Sequence, residues 1–441
     1  MKKSVVVENQ KIQSFTANYN KTVLDNGIRV VSESIPYVKS VSLGVWINVG
    51  SRDETEANNG ITHFIEHMLF KGTKRRNTRE IAEFVEDIGG YLNAFTTKEN
   101  TCFYVRVLSE HLREGVEILS DMIQNPIFDK KEIEKEKGVV FEEIKDIEND
   151  LEEYIGDLLE YYIYYPHPLG FPIIGTRKTV KEFSREKLFE HMRKFYNPSN
   201  IVVSAAGNLV HDELVKYVDK FFNSGGTNGF YYEREKPQKV KAIHQKLEKA
   251  TSQAHVCIGT ATYGAKDSSR DQLLLLNTIL GDGMSSRLFQ NIREKYGFVY
   301  SIYSFYTMFK DSGVLGVYFA CDKKNVEKTL ELVWREFNSI VKNGIDLKEL
   351  KRAKAQVKSS LLIGLESMSN RMQRLAQIEL VYDGVYSDIV DIIRRIEKIS
   401  SDEVCEIASE VLSEERFTTV IINPAKNNME KTYDSRRSKR N

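Results

Sequence analysis

Hydrophobic and polar positions divide this chain into two runs of similar order. VLDNGIRVVSE (23–33) places a turn before an alternating strand, and VSLGVWINVG (41–50) reads as a second strand. Apolar residues then take a helical period around 60–71, stopped by Gly72, and again at about 78–88. A strand begins at Tyr91 after Gly89 and Gly90, CFYVRVL (102–108) gives another, and a helix follows over about 109–124. KKEIEKEKGVVFEEIKDIENDLEEYI (130–155) predicts one long acidic helix.

The later half repeats the order. AHVCIGTATYG (254–264) parallels the strand at 41–50, and DQLLLLNTILG (271–281) parallels the helix after it. VYSIYSFYTMF (299–309) and GVLGVYFACD (313–322) predict strands, and NVEKTLELVWREF (325–337) a helix. CFYVRVLSEHLREGVEIL (102–119) lies beside GVYFACDKKNVEKTLELV (316–333) without a gap, strand against strand and helix against helix. The pattern predicts an internal duplication and an α+β fold of two homologous domains, each an antiparallel-rich sheet covered by helices. The expected divisions are 1–222 for the first domain, 223–245 for a Gly- and Asn-rich linker, 246–425 for the second domain, and 426–441 for a basic, frayed tail.

A length of 441 residues exceeds one ordinary core, which agrees with two domains. Lys+Arg and Asp+Glu both total 63, so no global charge points to nucleic acid or an acidic membrane as partner. No apolar run is long enough to span a membrane, and MKKSVVVENQ has neither a signal-peptide core nor the Arg-rich character of a transit peptide. Four scattered cysteines, Cys102, Cys257, Cys321 and Cys405, form no CxxC pair and read as reduced, mostly buried residues. A cytoplasmic enzyme is the expectation.

The candidate chemistry lies in GITHFIEHMLFKGT (60–73). His63 and His67 stand one helical turn apart and can reach one metal ion, while Glu66 projects near the same spot. A carboxylate beside a bound water is what a general base requires. With eight histidines in the whole chain, this H-x-x-E-H pattern rarely arises by chance. A catalytic zinc takes a third protein ligand, and the acidic helix offers candidates. Glu136 and Glu143 share a face, Glu142 points elsewhere, and composition does not choose among them.

These segments resemble the insulysin/pitrilysin (inverzincin) metallopeptidase family, in the two-domain branch that includes the catalytic subunit of the mitochondrial processing peptidase. The resemblance runs from LDNGIRVVSE to TTVIINP and implies a zinc-dependent endopeptidase. The family's third ligand sits in a segment like E-x-x-V-V-x-x-E-I, matched by 136–144, and Glu143 stands 76 positions beyond His67. The resemblance therefore implies a zinc ion on His63, His67 and Glu143, with Glu136 orienting a ligand and Glu66 as the base. GGYLNAFTTKENTCFY (89–104) resembles the family's substrate-edge strand, with Asn93 and Ala94 at the matching positions. HPLGFPIIGT (167–176) and YNPSNIVVSAAGN (196–208) match segments with no assigned chemistry.

GMSSRLFQNIREKYGFVYS (283–301) resembles a second-half segment with an Arg and a Tyr seven apart, here Arg293 and Tyr300. Such a pair binds a peptide backbone and steadies an oxyanion. His244 and His255 lie eleven apart, so no second metal motif is expected. Four-domain members place the zinc motif in the first domain and the Arg–Tyr pair in the fourth. The resemblance thus implies a homodimer whose sites are completed in trans and whose substrates are peptides or unfolded segments. Two rivals are a catalytically silent partner subunit, against which the intact motif stands, and a zinc hydrolase of non-peptide amides.

Overall fold

Runs rich in β-branched and aromatic residues become strands, and amphipathic runs become helices that cover them. The computed structural model describes residues 18–222, 233–238 and 240–425; the first part of the expected linker, 223–232, and the basic tail, 426–441, lie outside them. The first half runs β1 (Asn18–Val23), β2 (Arg29–Ser34), β3 (Ser40–Ile47), α1 (Ile61–Met68), α2 (Thr78–Glu86), β4 (Tyr91–Thr96), β5 (Thr101–Leu108) and α3 (Leu112–Gln124). It continues through α4 (Lys130–Asn149), α5 (Leu151–Tyr164), α6 (Arg177–Lys181), α7 (Arg185–Phe195), β6 (Ile201–Gly207) and α8 (His211–Phe221). The second half runs β7 (His244–Lys249), β8 (Ala254–Thr262), α9 (Arg270–Leu280), β9 (Val299–Met308), β10 (Gly313–Cys321) and α10 (Val326–Asn343). It ends with α11 (Leu347–Gly364), α12 (Met368–Leu380), α13 (Ile389–Lys398), α14 (Ser401–Val411) and β11 (Thr418–Pro424).

The two sheets have the orders β1-β2-β6-β3-β5-β4 and β7-β11-β8-β10-β9. With β1 set aside they correspond strand for strand. β2 pairs parallel with β6 as β7 does with β11, and the remaining pairs are antiparallel. The duplication expected from one ungapped segment therefore extends through the sheet topology, and the fold is α+β with two homologous domains.

Two expectations change. The acidic run at 130–155 is two helices, because Asp150 (φ −78°, ψ 94°) leaves the helical region and its carboxylate caps α5, accepting from Glu152 N–H (3.1 Å) and Glu153 N–H (3.3 Å). Strand β2 does not alternate, since four consecutive residues are buried. Its sheet is covered on both faces, one by the main core of the first half and the other by α12. Val31, Trp46, Cys102 and Val202 pack there against Met372, Leu375, Ala376 and Leu380. The second sheet mirrors this arrangement: Ile155, Leu159 and Ile163 of α5 pack on Cys257, Val314 and Val420. Each half thus lends one helix to the other's sheet. Gly44 of β3 and Gly259 of β8 leave the space, for a Cβ added at Gly44 would lie 2.5 Å from Met372 Sδ and one at Gly259 2.7 Å from Leu159 Cδ2.

Candidate metal centre

Helix α1 is short, and its entry is fixed from outside. Gly60 precedes it with φ +92°, and a Cβ there would lie 2.6 Å from Gly175 Cα, so only glycine permits this approach. Glu54 reaches back to the helix start. Its Oε2 accepts from Gly60 N–H (2.7 Å) and Asn59 Nδ2 (2.9 Å), and its Oε1 accepts from Thr62 N–H (2.8 Å). A carboxylate here satisfies free amides at the positive end of the helix. Ile61, Phe64, Ile65 and Met68 face the core, which turns His63 and His67 toward α4.

Ligand atoms of His63, His67 and Glu143 all lie within 4.8 Å of one another. The two imidazole centroids are 4.5 Å apart, and His67 Nε2 is 3.6 Å from Glu143 Oε1. Glu136, two turns before Glu143 on α4, places Oε1 2.9 Å from His67 Nδ1 and Oε2 2.8 Å from Lys71 Nζ. Glu142 instead pairs with Lys145 on the exposed face. Burial depresses the His63 imidazole to about 3, which keeps it neutral with a lone pair to offer. His63 Nδ1 and Glu143 Oε2 are among the buried atoms that have no hydrogen-bond partner. Two nitrogens and one carboxylate in this arrangement suit zinc, so the residues fit the metal.

Glu66 is 8% exposed and accepts a 2.6 Å hydrogen bond from Thr96 Oγ1. Burial raises its carboxyl above the usual range, and the Thr96 bond works against that rise. Thr96 is the last residue of β4, the outer strand of the first sheet, so base and sheet edge are joined directly. Asn93 and Ala94 lie in the same edge strand, Asn93 exposed, and Asn93 Oδ1 accepts from Ala94 N–H (2.8 Å). The sequence reading missed Glu54, Lys71 and Thr96, whose roles come from contacts that no spacing encodes.

Arg293 and Tyr300 belong to the second half and are not among the three grouped ligand residues. Arg293 belongs to a π-helical turn, Phe289–Glu294, with its guanidinium 4.8 Å from the Phe289 ring centroid. Tyr300 is 56% exposed on β9, the outer strand of the second sheet and the counterpart of β4. Among the described residues neither makes a hydrogen bond or ion pair with His63, Glu66, His67 or Glu143. Of the second-half histidines, His255 bonds Tyr318 through Nδ1 (2.9 Å), and the described residues contain no second metal-ligating cluster. All four cysteines are free, three of them buried. No helix among the described residues is long and apolar enough to cross a membrane.

Fold and site together define a duplicated α+β protein whose first half brings together two histidines and one carboxylate that could hold a metal ion. The chain belongs to the insulinase (M16) peptidase family. The family model described as insulinase (peptidase family M16) matches residues 29–177, and that described as peptidase M16 inactive domain matches 182–357. The chain is 39% identical over 403 residues to the uncharacterized zinc protease YmxG of Bacillus subtilis, covering 91% of this chain and 97% of the relative. It is 36% identical over 410 residues to an uncharacterized zinc protease of Streptomyces coelicolor, covering 91% and 89%. In structure it is similar to a peptidase M16 inactive domain from Pseudomonas fluorescens (TM-score 0.86, 21% identity, 92% of this chain and 98% of that chain). It is also similar to a protease from Helicobacter pylori (TM-score 0.85, 21% identity, 93% and 100%).

Proposed function

We propose that this protein is a zinc-dependent endopeptidase acting on peptides or unfolded segments, with His63, His67 and Glu143 as metal ligands. The observation that carries the reading is the meeting of three ligand atoms within 4.8 Å beside a buried carboxylate that is bonded to a sheet edge. Bound zinc would supply Lewis-acid polarisation of a water and of the scissile carbonyl. Glu66 takes the proton of the attacking water and delivers it to the leaving amine nitrogen. Glu136 holds His67 in one orientation through Nδ1, and Thr96 holds Glu66. Strand β4, with Asn93 and Ala94, offers its backbone to an extended peptide, which gives affinity without strict side-chain demands. The peptide displaces the Asn93 side chain from Ala94 N–H as it pairs.

Arg293 and Tyr300 serve the site of a second copy in a homodimer, where they bind the peptide backbone and the developing oxyanion. Tyr300 supports this assignment by lying 56% exposed on the outer strand β9, open to a second copy. Four free cysteines fit a reducing, cytoplasmic setting. The test is digestion of a mixed peptide library with and without chelator, read by mass spectrometry. Internal cleavages that vanish with chelator and return with zinc are expected; chelator-insensitive cleavage would overturn the reading.

A further inference from the structure

The tip of the β4–β5 hairpin has the sequence Lys98-Glu99-Asn100, which would ordinarily be solvated. All three residues are buried, with exposures of 7%, 6% and 5%. Buried charges are costly unless each is met, and here each is. Lys98 Nζ donates to Phe171 O (2.7 Å) and pairs with Glu160 Oε2 (3.0 Å). Glu99 Oε1 accepts from Arg52 Nη1 (2.6 Å), Glu99 Oε2 accepts from Lys310 N–H (2.9 Å), and Glu99 O accepts from Arg234 Nη2 (2.6 Å). Arg52 is bidentate to Asp311, with both contacts at 2.8 Å, and Arg234 is bidentate to Asp53 at 2.8 and 2.7 Å.

The network around Glu99 draws on three places. Arg52 and Asp53 lie in the loop that leads to Glu54 and the metal-bearing helix. Arg234 lies in the segment between the halves. Lys310 and Asp311 form the β9–β10 turn, so the tips of the two corresponding edge hairpins meet. Thr96, which holds Glu66, is only three residues before Glu99. Well-packed apolar residues often replace such a buried network without loss of stability. A directional network does what they cannot: it fixes the hairpin in one position.

We infer that Glu99 is a positioning residue, a latch that ties the substrate-side edge strand β4 to the second half and holds β4, with Thr96, in register with Glu66. The inference rests on the peptidase reading for its consequence but not for its geometry. Glu99→Ala removes both side-chain contacts; Glu99→Gln keeps an acceptor and loses the charge, and serves if the alanine variant folds poorly. Amide hydrogen exchange over residues 91–100 should accelerate in either variant, with bound zinc unchanged. kcat/KM on a peptide substrate should fall ~10-fold or more, with KM raised, because the strand that receives the peptide is misplaced. A merely destabilised enzyme loses active molecules and keeps its KM. Unchanged exchange over 91–100, or lost activity at constant KM, overturns the inference. If the wild type shows no Glu66-dependent cleavage, the peptidase reading fails by itself, and the exchange measurement alone then upholds or overturns the latch.

Discussion

Nδ1 of His67 lies 2.9 Å from Oε1 of Glu136, and this contact decides which face of the imidazole meets Glu143. A carboxylate accepts, so Nδ1 carries a proton and Nε2, the nitrogen turned toward Glu143, is the one that would offer its lone pair to a metal. Burial alone would raise the Glu136 carboxyl, but hydrogen bonds from His67 and Lys71 hold it below its ordinary value, so it stays ionised for this task. Glu136→Gln should therefore fold normally and bind zinc about 10–100-fold more weakly. Competition against a chelator of known affinity measures this, and wild-type affinity would remove Glu136 from the site.

Glu66→Gln separates the base from the metal. None of the three ligand atoms belongs to Glu66, so the variant should keep its zinc. Turnover should fall by about 10²–10⁴, the usual worth of a positioned general base. Thr96→Val should lower kcat less, because it frees the carboxylate without removing it. Metal content and kcat measured on the same preparations check both, and full activity in Glu66→Gln would reassign the base.

Much of this site was legible in the sequence, because two histidines one turn apart on a helix point to their geometry through periodicity alone. Glu143 was not, since any of three acids on the same run satisfied composition, and only the resemblance chose among them. Glu54 and Thr96 lie outside the motif and act through tertiary contacts. The fold was legible where the pattern was local, as in the helix at 61–68 and the strand at 101–108. It was not legible where long-range packing decided. Strand β2 is buried on both faces because α12, more than 300 residues later in the chain, covers it. Likewise Asp150 looks like one more acid in a helical run until it is seen to cap the next helix.

Gly259 tests the exchanged helix. A Cβ there would lie 2.7 Å from Leu159 Cδ2, so Gly259→Val should push α5 from the second sheet at a cost of about 1–3 kcal/mol. Gly44→Val should do the same to α12 on the first sheet, where Met372, being flexible, absorbs part of the overlap. Urea midpoints compare the two, and unchanged stability in both would mean that the helices seat without these gaps.

Glu54 should make stability depend on pH. It is fully buried, and burial pushes its carboxyl up to about 7 despite its hydrogen bonds to Thr62, Gly60 and Asn59. The folded value is raised, so the folded chain holds a proton that the unfolded chain releases between about pH 4.5 and 7. Its contribution is full below about pH 4.5 and is lost as pH rises through about 7, a change on the order of 3 kcal/mol. Glu54→Gln cannot titrate. The stability of wild type relative to Glu54→Gln should therefore be greater at pH 5 than at pH 8, as read from denaturant midpoints. An equal difference at both values would mean that Glu54 does not titrate in this window.

The assembly prediction follows from where Arg293 and Tyr300 sit. They belong to the second half, make no polar contact with the metal cluster of their own chain, and Tyr300 lies exposed on the outer strand β9. A two-fold homodimer would let each chain present this pair to the other's metal centre, with the two edge strands closing around one peptide. Inactive Glu66→Gln chains and inactive Tyr300→Phe chains should then complement when mixed and allowed to exchange. In a mixed dimer one site combines the intact Glu66 of one chain with the intact Tyr300 of the other, while the second site carries both lesions. Activity should rise toward one working site per mixed dimer. If each chain completes its own site, every site keeps one lesion and nothing returns. Absence of recovery after subunit exchange has been demonstrated by mass, or full activity in a strictly monomeric preparation, would rule out the trans arrangement.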